Sequence, residues 1–466
     1  MTKPIARAAA AGSTPDLQRL LRAAAELSQT LYISFLPVFF PNLDPRGIPN
    51  AEQLDSNLTL GDPVFRPIIN AMCALSYIST LNPIPPEATQ LIWGRIQPWI
   101  HFLHTYWTCI SGVVAPLSEL DLYTVFLSVV ARLKTDPVVL RECHRIPEIR
   151  VIVAHAWKLF LLQPEDRTPH EALREVLSFL SVHARESALP NAGTLPPVAE
   201  SGSRHLEQFA EGAGGLVHLA TLTVQHLNRY VTRPEPTYSG VYLSRVIIFV
   251  ITNKEDHLFH AALLSCGIVA AFVRAASAIA EGRDNNGPGN DAVFSDSMIV
   301  TELLSNLWSY LAAQFGEPPS PHRLLIEAIR AGLFPAMITS ASNNRDPATI
   351  GHLEAALTPF GLRTCFYSVL SCLESALHDV EDLQATPVFV QSDFFGAWST
   401  FWDLAQSRIN ILKRYKSASY VSLKAAPKSI GNASSCAVRG VNGSIIARGD
   451  VNASIGKTVT APPALA

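Results

Sequence analysis

Ser320-Pro321-His322-Arg323-Leu324-Leu325-Ile326-Glu327-Ala328-Ile329-Arg330-Ala331-Gly332-Leu333-Phe334-Pro335-Ala336 reads as a helix, a corner and the start of a second helix. A serine side chain satisfies unpaired N–H groups of a first turn, and proline suits the first helical position, where its missing N–H is not needed. Leu324, Leu325, Ala328 and Ile329 recur at helical spacing and form the buried stripe. Gly332 then stands where a left-handed residue stops a helix. Gly215-Leu216-Val217-His218-Leu219 and Gly267-Ile268-Val269-Ala270-Ala271 repeat the order of helix, glycine, two apolar residues and apolar helix.

Working outward, this order predicts an all-α chain whose helices turn corners as armadillo-like repeats do. The glycines are 52 residues apart (215 to 267) and 65 apart (267 to 332), beyond the roughly 40–47 of regular armadillo and HEAT units, so insertions are required. The expectation is an irregular armadillo/HEAT-like α-solenoid, with a multi-helix bundle as the alternative. Further helices are expected over 15–32, 65–80, 86–107, 118–134, 147–163, 204–231, 237–252, 256–280, 291–315, 346–358, 362–382 and 392–416, and another follows the capping sequence Thr168-Pro169-His170-Glu171. No alternating strand pattern with hairpin turns precedes residue 420.

Punctuation by Pro and Gly sets the expected organisation: a flexible N-terminus over 1–14, a helical lobe over 15–186, a linker over 187–203, a second lobe over 204–420 packed on the first, and a disordered tail over 421–466. The tail is rich in Gly, Ser, Ala and Asn and poor in large apolar residues.

Hydrophobic residues make up 48% of the 466 residues and charged ones 16%, a balance that excludes general disorder and suits helices buried on two sides. The net charge of −3 provides no broad basic field for a nucleic-acid backbone, so no nucleic-acid partner is expected. The most apolar runs, 241–252 and 261–273, fall short of the roughly 20 residues that span a bilayer, so no membrane association is expected. Cys73, Cys109, Cys143, Cys266, Cys365, Cys372 and Cys436 form no C-x-x-C. With no export signal behind Met1, a reduced compartment, cytoplasmic or nuclear, is expected, and the sequons at Asn57, Asn432, Asn442 and Asn452 then stay unmodified.

The chemical motifs each lack a part. Gly456-Lys457-Thr458 resembles the end of a phosphate-binding loop, but Val451 stands where the loop needs glycine. Arg448-Gly449-Asp450 matters only outside the cell. His170-Glu171 begins like a zincin helix, yet Arg174 occupies the place of the second zinc ligand. Cys143-His144 has only His155 nearby, on another predicted helix, whereas a zinc site needs four converging ligands. Trp93, Trp99, His101, Phe102, His104, Tyr106 and Trp107 follow the spacing of a packed helix, and Arg408, Lys413, Arg414, Lys416, Lys424 and Lys428 suit the negative end of a helix dipole. No catalytic, cofactor-binding or metal residue is therefore assigned, and no cofactor is expected.

Pro41-Asn42-Leu43-Asp44-Pro45 with Ile48-Pro49, then 93–106, 150–161, 325–338 and 401–412, resemble the helical region that precedes the zinc finger in MYND-finger proteins of mushroom-forming fungi. In that family a segment like Tyr420-Val421-Ser422-Leu423-Lys424-Ala425 leads into a finger whose seven cysteines and one histidine bind two zinc ions. Here residues 426–466 hold one cysteine, Cys436, and no histidine, so they supply neither zinc site. The resemblance implies a helical platform without the finger's peptide-binding activity. The expected function is a non-catalytic scaffold for a protein partner. An all-helical enzyme of unrecognised type, or a truncated product that has lost its finger, are the alternatives.

Overall fold

The computed structural model describes residues 36–50, 61–81, 84–110, 117–163, 170–188, 198–231, 239–284, 297–316 and 321–424, with single positions before residue 20. Within them run α1 (Leu36–Phe39), α2 (Gly61–Leu81), α3 (Pro86–Ile110), α4 (Glu119–Leu133), α5 (Pro137–Arg145), α6 (Pro147–Leu162), α7 (His170–Ala188), α8 (Val198–Ala213), α9 (Leu216–Val231) and α10 (Ser239–Thr252). There follow α11 (His257–Ser265), α12 (Ile268–Asp284), α13 (Ser297–Gly316), α14 (Pro321–Arg330), α15 (Leu333–Asn343), α16 (Pro347–Arg363), α17 (Tyr367–His378), α18 (Glu381–Gln384), α19 (Pro387–Val390) and α20 (Phe395–Lys424). No strand occurs among the described residues, and the chain is all-helical as the periodicity predicts. Residues 1–412 form one compact unit and 413–466 a second; the packing below belongs to the first.

Side-chain caps open α4, α5, α11 and α16. Ser118 and Asp121 close a reciprocal capping box on α4. Asp136 accepts from the N–H groups of Val138 and Val139 ahead of α5, and Asp346 from that of Thr349 ahead of α16, each with proline in the first turn. Thr168 and Ser320, the expected caps of α7 and α14, lie outside the described residues.

The corners are made by backbone that only glycine adopts without strain. Gly267 (φ 87°) and Gly332 (φ 92°) are left-handed, and the chain bends by 74° between α11 and α12 and by 69° between α14 and α15. Gly214 (φ 95°) and Gly215 (φ 118°) form the corresponding corner between α8 and α9. The helical stretches expected over 204–231 and 256–280, each with a corner glycine inside it, are each two helices. A fourth corner uses no glycine: Ile146 is extended (φ −83°, ψ 109°) before Pro147, which disfavours helical backbone in the residue it follows.

Packing then proceeds in steps of three helices. α4, α7, α10, α13 and α16 form a first series, each packed on the next; α6, α9, α12 and α15 form a second. In a third, α8, α11 and α14 each pack back on the second-series helix of the preceding level, α6, α9 and α12 in turn. One level is therefore a third-series helix, a corner, a second-series helix and a first-series helix. α17 packs on α14, and α20 continues the second series through Trp398 and Phe401, whose rings lie 5.6 Å from that of Phe334 on α15. This is solenoid-like packing between neighbours. The longer 65-residue spacing arises because α13 has 20 residues against 14 in α10, and because 285–296 replaces the shorter 232–238.

Polar groups join the levels. Arg229 on α9 donates to the carbonyls of Phe160, Leu161 and Gln163 (3.4, 3.1 and 3.0 Å) at the end of α6, where Phe160 also accepts from the Gln163 N–H. Asn343 on α15 donates to the Ala280 carbonyl on α12 at 3.1 Å. Residues 189–197 of the expected linker lie outside the described residues, and its last part, from Val198, is helical in α8. α20 likewise continues to Lys424, past the expected start of the tail at 421; residues 425–466 lie outside the described residues. No single helix among the described residues is long and apolar enough to cross a membrane.

Candidate interaction groove

The step of three brings α14 against α12, and between them lies an open groove of about 560 Å3 lined by Ala270, Arg274, Arg323, Ile326, Glu327, Arg330 and Ala331. Ala270 and Arg274 are one turn apart on α12; Arg323, Glu327 and Arg330 follow at four- and three-residue steps on one face of α14. Gly267, which must be glycine for the corner, has no side chain with which to cap α12. Glu327 reaches across instead, and its Oε1 accepts from the Ala270 N–H at 3.2 Å. The carboxylate is thereby committed to the helix terminus.

Arg274 is half-buried and donates from Nη2 to Asn228 Oδ1 on α9 at 2.7 Å. Arg323 and Arg330 are exposed at the rim. Three guanidinium groups against one engaged carboxylate make the groove positive. Guanidinium presents paired donors that match carboxylate geometry, so its chemistry suits acidic side chains.

The residues weighed for chemistry in the sequence fall elsewhere. Trp93, Trp99, Phe102 and Trp107 are buried, as helical spacing predicts. Cys143 is buried, and its thiol is pushed up to about 12 by burial and by Glu175 nearby. The neighbouring His144 ring packs on Phe179 at 5.5 Å. Glu171 lies exposed at 3.8 Å from Arg132. Gly456-Lys457-Thr458 and Arg448-Gly449-Asp450 lie outside the described residues. Among the described residues, no three His, Cys, Asp or Glu side chains gather as a metal would require.

A polar junction that the sequence does not reveal joins α3, α4 and α6. His155 Nε2 meets Glu119 Oε1 at 2.9 Å, and His104 Nδ1 shares a hydrogen bond with the Tyr123 hydroxyl. The Tyr123 and His155 rings lie 5.0 Å apart, and His104 packs edge-on against both. Burial, with the His155 and His101 charges, lowers His104 to about 4; burial and Glu119 raise Tyr123. Both groups are neutral near pH 7, which suits a packed junction.

Comparison with protein-family models, curated proteins and solved structures finds no match to this chain. The functional reading therefore rests on the groove and the helical stack.

Proposed function

We propose that the chain is a protein-interaction scaffold of armadillo-like stacked helices that binds an acidic segment of a partner protein. The observation that carries this reading is the α12–α14 groove, where exposed Arg323 and Arg330 and half-buried Arg274 surround a single committed carboxylate. Stacked helices are suited to such a role, because consecutive levels hold side chains at fixed spacing along an extended surface. The resemblance to the helical platform of MYND-finger proteins supports the same reading, with a cytoplasmic or nuclear setting.

The test compares proteins captured from the source cells by the immobilised chain and by an Arg323→Glu/Arg330→Glu variant. A partner with a carboxylate-rich segment should be retained by the native chain, released by salt and lost on charge reversal. Identical capture by the two forms would remove the groove as the binding site.

A further inference from the structure

The α12–α14 groove adjoins a second feature across α14. His322 and Arg323 are neighbours in the first turn of that helix. Arg323 lines the groove, while the His322 ring packs edge-on against Phe366 with centroids 3.9 Å apart. Phe366 and Tyr367 stand at the start of α17, which packs on α14. One turn of helix therefore separates the positive groove from an aromatic pair.

That pair is open to solvent. Phe366 is 45% exposed and Tyr367 61%, although large rings ordinarily contribute through burial. Aromatic side chains carry much of the binding energy at protein interfaces, and here they lie beside a groove whose chemistry already suits a protein segment.

Charge sets the kind of segment. Glu327, the one carboxylate on α14, is held by the Ala270 N–H. The sequence has no carboxylate between Glu354 and Glu374, and Arg363 precedes the ring pair. Glu374 lies about two turns further along α17, and Glu281, at the other end of α12, accepts from Ser277 at 2.8 Å. The described residues that line the groove thus offer Arg274, Arg323 and Arg330 and no uncommitted carboxylate. A second copy laid face to face would set Arg323 against its own equivalent. The chain beyond α20 holds one acidic residue, Asp450, so its tail does not supply an acidic segment.

We propose that an acidic segment of a partner protein, seated in the α12–α14 groove, continues over the first turn of α14 and lays a large apolar side chain on Phe366 and Tyr367. A helix with its side chains is about 10–12 Å across and an extended chain rises about 3.3 Å per residue, so about three residues span the crossing. The partner class is therefore an extended segment in which a large apolar residue stands about three residues from a run of carboxylates. The guanidinium groups hold the carboxylates and steer the encounter, and the rings shield the anchor from water and set the register. This deepens the scaffold reading and rests on it.

The test uses the full chain and two fluorescein-labelled peptides. Both have a central run of glutamates flanked by serines. The first carries a phenylalanine about three residues beyond each end of the run, so that either chain direction is served, and the second carries serine there. Fluorescence polarisation should show the phenylalanine peptide binding about tenfold more tightly than the serine peptide. Phe366→Ser with Tyr367→Ser should bring the two peptides level without weakening the serine peptide, and Arg323→Glu/Arg330→Glu should lose both. Phe366 is extended ahead of α17 and offers no side-chain cap, so serine there supplies one, and circular dichroism and melting temperature should match the native chain. Tyr367→Ser alone provides a milder variant should the pair fail to fold. Equal binding of the two peptides to the native chain, lost on charge reversal, would overturn this inference and leave the groove reading standing. So would an advantage for the phenylalanine peptide that survives the loss of both rings. Binding of neither peptide would remove the groove reading and this inference with it. Tyr367-dependent self-association in sedimentation would assign the rings to a second copy and overturn the partner segment.

Discussion

Gly267 and Gly332 hold the corners because a Cβ in their left-handed conformation would crowd the following carbonyl. No heavy atom lies within 4 Å of a Cβ built on Gly332, so Gly332→Ala measures backbone strain alone; at Gly267 the nearest atom is Glu327 Oε1 at 3.5 Å. Each alanine variant should lose about 1 kcal/mol in urea unfolding. A stabilised variant would mean that the helix runs through, since alanine is the better helix former. His226 sets a different dependence. It is fully buried, and its Nδ1 accepts from Trp157 Nε1–H at 3.1 Å. Burial, then Arg229, lowers it from 6.5 to about 3. Its folded-state pKa lies below the unfolded one, so the unfolded chain binds the proton first and stability falls as pH drops below 6.5 toward about 3. His104, lowered to about 4, acts in the same direction. His226 alone should remove about 1.4 kcal/mol of stability per pH unit within that window. Urea titrations at pH 7.5 and pH 5 should therefore show a smaller loss for His226→Leu than for the native chain; equal losses would remove His226 as a source of the dependence.

Between elements, the closest approach is at Gly212. A Cβ there would fall 2.1 Å from the Val151 carbonyl oxygen, so α8 rests on the backbone of α6. Gly212→Ala must push the helices apart and should cost about 3 kcal/mol, read as a lower urea midpoint. An unchanged midpoint would show that α8 yields without loss. The residues that specify such contacts were unequally legible in the sequence. Corner glycines are readable because a positive φ is the property of one residue. α5 escapes periodicity: nine residues burying only Val139 and Cys143 make too short a stripe, although Asp136-Pro137 signals its start. Gly215 and Gly267 are legible as corners, whereas Gly214, which shares the first of them, is not. The groove was not legible, because Arg274 and Arg323 meet only through the step of three, and Glu327 caps a helix far from it in sequence. The junction of His104, Tyr123 and His155 was hidden for the same reason, its members coming from three helices.

Across the whole unit, the stretch at 187–203 has the composition of a domain boundary, but packing crosses it. Phe249 on α10 is fully buried, with its ring 6.5 Å from Trp157 on α6, 5.8 Å from Phe209 on α8 and 5.8 Å from Phe259 on α11. α7 also packs on both α4 and α10. A boundary between independent domains has few contacts across it, whereas these helices share a ring cluster and two series. Stability in stacked repeats is carried by interfaces between neighbours, so a defect at one interface spreads to the levels that depend on it. Phe249→Ala should cost about 3–5 kcal/mol, the range for removing a large buried aromatic ring. Hydrogen exchange reads where that loss appears. If the stack unfolds as one body, amides of α6 and α8 should lose protection together with those of α10 and α12. Faster exchange confined to 239–284, with 119–162 unchanged, would instead show that the chain before 187 holds together alone and that the ring cluster is a contact between two separately stable halves.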